Sequence, residues 1–180
     1  MTLRVFCFAL LVAAGPARAD DTNTLSRALA EGGFVAVDLL SAGAGQLGAP
    51  VRIKGQTLYF LVDTGSTFTL IDNAVAQRLE LAMNPRRAVE LVEMNGGRRE
   101  HRLTAPVFVY IGTHLLLPQE LVVAELRKMS VEVKSGQAPE IGGIIGSTIL
   151  RKHGAVIDCG NRKLYLTGTI GELEELPLKP

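Results

Sequence analysis

The chain has 180 residues, of which 47% are apolar and 21% charged, with a formal net charge of +1. That is enough for one domain with a real core, and it excludes both a disordered tail and a membrane bundle. The near-neutral balance without a basic stripe and the 5% aromatic content without Trp argue against nucleic-acid partners and against a stacking platform for bases or sugars.

The N-terminus reads as an export signal. Arg4 supplies a positive start, and Val5 to Ala14 is an apolar run too short to span a bilayer. Ala17-Arg18-Ala19 then matches a small-x-small cleavage site. Residues 1–19 are therefore expected to be a signal peptide and the mature chain to start at Asp20. The product is then periplasmic or secreted, with no stable membrane anchor after cleavage; the competing reading is an uncleaved anchor. Removing Arg4 and Arg18 leaves 17 basic against 18 acidic residues. Cys7 departs with the signal, so Cys159 is the one mature cysteine and no internal disulfide can form. A lone thiol of this kind is expected to be buried rather than catalytic.

Residues 20–48 read as a flexible N-terminal lead-in, weakly helical around Leu25 and Leu29, followed by a strand at Phe34 to Leu40. Gly43-Ala44-Gly45-Gln46-Leu47-Gly48 formally matches the dinucleotide fingerprint G-x-G-x-x-G. That fingerprint needs its glycines to open a helix, and here Pro50, Gly55 and a β-rich run follow. The segment is read as a loop.

Val51 to Ile53 and Thr57 to Val62 read as two strands joined at Lys54-Gly55-Gln56. The second ends abruptly on a carboxylate, followed by small turn formers: Asp63-Thr64-Gly65-Ser66. Asp63 then lies at a strand end, facing a cleft. Gly65 permits a positive φ or a close approach, and Thr64 and Ser66 offer hydroxyls that can brace the loop. Taken alone, the tetrad is equally compatible with an aspartate that merely caps a turn.

Phe68 to Ile71 is a further short strand, and Asp72 is a good N-cap for a helix over Ala74 to Leu81. Val89 to Leu103 alternates around Asn95-Gly96-Gly97, a strong hairpin signal. Its many charges suit a hairpin projecting into water, or equally a solvated edge. Pro106 to Ile111 pairs with His114 to Leu117 across Gly112, and Leu121 to Leu126 is another candidate strand. Lys134 to Glu140 reads as a polar loop. Ile141 to Ser147 is a strand closed by glycine, with Ser147 expected to cap a helix over Thr148 to His153. Ala155 to Asp158 and Lys163 to Leu166 form a closing hairpin. Short strands with frequent turns and two short helices indicate an all-β barrel or sandwich. His101, His114 and His153 are scattered and read as surface or turn residues, so no metal is implied.

Asp63-Thr64-Gly65-Ser66 after an apolar strand, with Gly143-Ile144-Ile145-Gly146 later and a helix-hairpin close, resembles the retropepsin-like aspartic proteases, in particular their single-domain exported bacterial branch. The resemblance implies a closed acid-protease-like barrel over residues 49–169, followed by a C-terminal tail over 170–180. It implies that Asp63 is catalytic, that Thr64, Gly65 and Ser66 complete the active-site loop, and that Ile145 and Gly146 support it. It places the flap at Met94, Asn95, Gly96 and Gly97. One departure is Ser147, where retroviral members often carry a charged residue that helps bind the second subunit.

The implied chemistry is hydrolysis of a polypeptide substrate without a cofactor. It needs two carboxylates: one activates a water, the other protonates the developing tetrahedral oxygen, and the close pair shares one proton. Only one such tetrad exists in the chain, so a homodimer is expected, with one Asp63 from each copy. The rival is a non-catalytic module of the same fold that holds a peptide or partner without cutting it.

Overall fold

The computed structural model describes residues 21–43, 45–92, 96–126 and 141–167. The expected signal peptide over 1–19, Met94 and Asn95 of the expected flap, the expected polar loop over 134–140 and the expected tail over 170–180 lie outside the described residues. Thirteen strands and three helices are present among those described. No described helix is long and apolar enough to cross a membrane.

The chain opens with α1 (Asp21–Glu31), where the sequence suggested only a weakly helical lead-in. It packs on β1 (Phe34–Asp38), and Ser26 Oγ meets the Tyr165 hydroxyl at 2.7 Å. This tie to a distant strand gives the helix the tertiary support that a short, weakly patterned segment lacks alone. β2 (Leu40–Gly43) and β3 (Gln46–Ile53) pair antiparallel, with Gly48 opposite Leu40 and Gln46 opposite Gly43. The expected loop is thus a hairpin, because the glycine run continues directly into a strand rather than into a helix. β3 turns through Lys54 and Gly55 into β4 (Gln56–Val62).

After the Asp63 loop come β5 (Leu70–Asp72) and α2 (Asn73–Arg78). Asp72 caps α2 as expected: its carboxylate accepts the Ala74 N–H at 2.9 Å. β6 (Met83–Val92) and β7 (Arg98–Thr104) form the long hairpin, and β8 (Val109–Ile111), β9 (His114–Leu115) and β10 (Val122–Ala124) follow. β11 (Ile141–Ile145), α3 (Ser147–Lys152), β12 (Val156–Asp158) and β13 (Lys163–Thr167) close the domain. Gly146, not Ser147, caps α3, and it does so without a side-chain bond.

Ten strands form one sheet, running β6-β7-β10-β5-β11-β4-β3-β8-β9 with β2 attached to β3. The path is open, ending on β6 and β9, so the expected closure into a barrel is not made. β1, β13 and β12 form a separate three-stranded sheet. β11 is central: it runs parallel to β4 and antiparallel to β5. Phe60, Ile71 and Ile145 are fully buried there, each such side chain contributing about 2–3 kcal/mol through area removed from water. β11 passes so close to Phe60 that a Cβ on Gly143 would stand 2.3 Å from the ring. One core cluster joins the two sheets through Val51, Phe60, Leu164 and Leu166. A second, containing Leu61, Leu103, Val122 and Ile144, lies under Val89 and Leu91 of the long hairpin.

Candidate active site

Asp63 follows the last residue of β4, and its position is set by the backbone of β11. The Asp63 N–H donates to the Ile145 carbonyl at 3.1 Å, which extends the parallel pairing of the two strands by one rung. The chain then turns tightly. The Gly65 N–H donates to Asp63 Oδ1 at 2.9 Å, and the Ser66 N–H donates to the Asp63 carbonyl at 3.3 Å. The Ser66 hydroxyl donates to the Phe68 carbonyl at 2.8 Å and braces the turn from inside. Of the two roles open to Gly65, the structure shows close approach: a Cβ there would lie 3.2 Å from Asp63 Oδ1.

The start of α3 clamps the far side of the loop. Ser147 and Thr148 donate their backbone N–H groups to the Ser66 and Thr67 carbonyls at 2.7 and 3.1 Å. The Thr148 hydroxyl also reaches the Thr67 carbonyl, at 2.5 Å. The Gly146 N–H donates to Thr69 Oγ1 at 3.1 Å. Contact at Gly146 leaves no room for a side chain, since a Cβ would stand 2.2 Å from the Phe68 carbonyl oxygen. Ile145 and Gly146 therefore meet the loop through main-chain contact. Ser147 supplies a backbone donor to the loop of its own chain.

Asp63 is half-buried, while Thr64 and Gly65 are exposed. The carboxylate opens into a cavity of about 340 Å³ with three walls. Leu61, Val62, Asp63 and Thr64 come from the end of β4, Gly45, Gln46 and Leu47 from the β2–β3 turn, and Ile157 and Cys159 from the β12 hairpin. Leu47, Leu61, Val62 and Ile157 give the walls an aliphatic part, and among the described residues Asp63 is the one carboxylate on them. Cys159 is exposed, contrary to the buried thiol expected, because it sits in the turn after β12 rather than inside the strand.

Two other aspartates, Asp72 and Asp158, have local structural roles. Asp72 is buried and also accepts the Leu126 N–H at 3.0 Å. Asp158 accepts the Asn161 N–H at 2.9 Å and the Asn161 side-chain amide at 2.7 Å. The Asn161 side chain first, and its backbone second, hold the Asp158 carboxyl below its ordinary range, as a turn-bracing carboxylate should be. Among the described residues no group of three or more His, Cys, Asp or Glu could hold a metal ion.

The structure brings Asp63, Thr64, Gly65 and Ser66 together with Ile145 and Gly146. Gly96 and Gly97 lie separately, at the open end of β6 and β7, beyond the Val92–Arg98 pair. Two features escaped the sequence. Gln46 and Leu47 line the Asp63 cavity, which only the hairpin reading of the glycine run could have signalled. His114 and His153, expected at surface or turn positions, are buried and meet at 3.4 Å. Strand and helix ends far apart in the chain make that contact, so local pattern carries no trace of it.

No curated protein matches the chain. The retroviral protease-like domain of Ddi1 from Leishmania major is similar at 22% identity, over 71% of this chain and 90% of that one, with a TM-score of 0.46. A retropepsin-like aspartic protease from Rickettsia conorii is similar at 17% identity, over 74% and 89%, with a TM-score of 0.49. The sequence profile described as aspartyl protease matches residues 49–149, more than half of the chain and the whole Asp63 loop with its β11 support. The chain belongs to the aspartyl protease family.

Proposed function

We propose that this protein is an exported aspartic endopeptidase whose site is completed when two copies bring their Asp63 loops together. The observation that carries this reading is the cavity with a single carboxylate, at the end of a loop held rigidly by β11 and α3. Water activation and protonation of the tetrahedral oxygen need two acidic groups, and the described walls of the cavity offer one. A twofold axis beside Thr64 supplies the second. The chemistry needs the two close carboxyl groups to hold one proton between them. One oxygen then draws a proton from the attacking water while the other carboxyl protonates the former carbonyl oxygen. The Gly65 N–H holds Oδ1 in place, so no reorganisation is needed at the moment of attack. The aliphatic walls suit an extended polypeptide with apolar side chains, and the β6–β7 hairpin is the element to close over it.

The test pairs a light-scattering mass with digestion of an unfolded protein across pH, on wild type and Asp63→Asn. A dimer that cleaves, and a folded D63N dimer that does not, support the peptidase. A monomer at micromolar concentration without cleavage leaves a module that holds a peptide without cutting it. N-terminal sequencing of the secreted product, expected to begin at Asp20, tests export.

A further inference from the structure

His114 and His153 are buried polar groups that the peptidase reading does not use. They come from different layers. His114 opens β9, at the outer end of the large sheet, and His153 closes α3. The His153 carbonyl also accepts the Thr167 N–H at 2.8 Å, which ties this corner to β13 of the small sheet. The rings meet edge to face, with centroids 5.3 Å apart and planes at 81°. His114 Nε2 and His153 Nδ1 share one hydrogen, so the ring pair ties β9 to the end of α3, and through the His153 carbonyl to β13, only while at least one of these nitrogens keeps its lone pair.

His153 Nε2 is buried and has no hydrogen-bond partner. A doubly protonated His153 would therefore bury an Nε2–H that no acceptor satisfies, with only the Thr167 backbone to favour the charge elsewhere on the ring, and a charged His114 would sit in the same water-poor corner. The groups bearing on the pair are few. Lys152, on α3, adds like charge, and the Thr167 backbone of β13 favours the charged ring without bonding Nε2. From β9 the facing group is His114 itself. Among the described residues no carboxylate bears on either ring.

We infer that the His114–His153 contact is an acid-sensitive latch between β9 and the β1-β13-β12 sheet, and that protonating it loosens the Ile157 and Cys159 wall of the Asp63 cavity. Burial holds both histidines below their ordinary value of 6.5, and for His153 the neighbouring His114 and Lys152 add to it. The sign follows. The unfolded chain takes up protons near 6.5 while the folded pair still refuses them. Stability from the pair is thus complete above that pH and is lost as pH falls through the lowered folded values. The latch depends on where the cavity lies and not on peptide cleavage, so either can fail alone.

Hydrogen exchange on the full chain at about pH 7.5 and about pH 5, corrected for intrinsic exchange, tests it. The expected result is that amides of β9, β12 and β13 lose protection by about tenfold or more on acidification, while β4 and β11 keep theirs. In His114→Gln and His153→Gln that selective loss should disappear. A uniform change across both sheets, no change, or the same selective loss in both variants would overturn the latch. If neither variant folds, the wild-type contrast between the two sheets decides alone.

Discussion

The Asp63 loop and the β6–β7 hairpin are both polar, glycine-bearing segments between strands, yet they are held in opposite ways. The loop is fixed by main-chain bonds to Ile145, Ser147 and Thr148 and by a contact at Gly146 that admits no side chain. The hairpin is held at its base and along its arms by side chains in or near solvent. Glu120 accepts from Asn84 at 2.6 Å and from Arg87, and Glu90 pairs with Arg98 across 2.8 Å. Of its apolar side chains, Leu103 at the base lies within the second apolar cluster, and Val89 and Leu91, on one face of the outer arm, pack against it. Backbone contacts in a dry interior resist displacement, whereas exposed ion pairs contribute little and exchange readily with water. The molecule therefore sets a rigid half around the Asp63 loop against a hairpin whose outer arms rest mainly on exposed side-chain contacts.

That contrast can be broken or sharpened by substitution. The largest effect is expected at Asp63→Asn, which should lower cleavage of an unfolded protein by about 10³-fold or more. Its stability should move by less than about 1 kcal/mol, because the amide oxygen can still accept the Gly65 N–H; urea unfolding beside the digestion assay checks both. Gly146→Ala should cost about 3 kcal/mol or more, since the new methyl meets a backbone carbonyl that cannot swing aside. A Gly146→Ala protein with wild-type stability would show that the loop is less tightly pinned than described. Asp72→Ala should cost about 2–3 kcal/mol by losing the α2 cap and leaving the buried Leu126 N–H without its acceptor, read as a drop in the unfolding midpoint. On the hairpin, Glu120→Gln should cost only about 1 kcal/mol but speed exchange of β6 and β7 amides. Arg98→Ala, at the far end of the series, should change stability by less than about 0.5 kcal/mol. A hairpin substitution as costly as Gly146→Ala would erase the distinction between the two regions.

Much of the rigid half was legible because its signals are local. An apolar run stopping at Asp63, a glycine-closed strand at Gly146 and a cap at Asp72 each declare themselves within a few residues. The hairpins β3–β4 and β12–β13 were legible for the same reason, since turn residues sit between alternating strands. What stayed hidden was pairing at a distance. Nothing near Ile145 says that β11 runs parallel to β4, and nothing near Leu25 says that Ser26 will find Tyr165. The glycine run at Gly43 was read as a loop because it lacks a helix, although glycines are equally at home in a hairpin turn. His114 and His153 read as surface residues because each is an ordinary turn neighbour in sequence, and their contact joins β9 to the end of α3, thirty-nine residues apart. The sheet's open ends at β6 and β9 likewise follow from its full strand order, which no window of sequence contains.

Cys159 stands in solvent on the rim of the Asp63 cavity. A chain without its first nineteen residues carries no other thiol. A maleimide dye coupled there would need no engineered attachment point. Its emission would report the arrival of a second molecule, or of a bound peptide, at the mouth of the cavity.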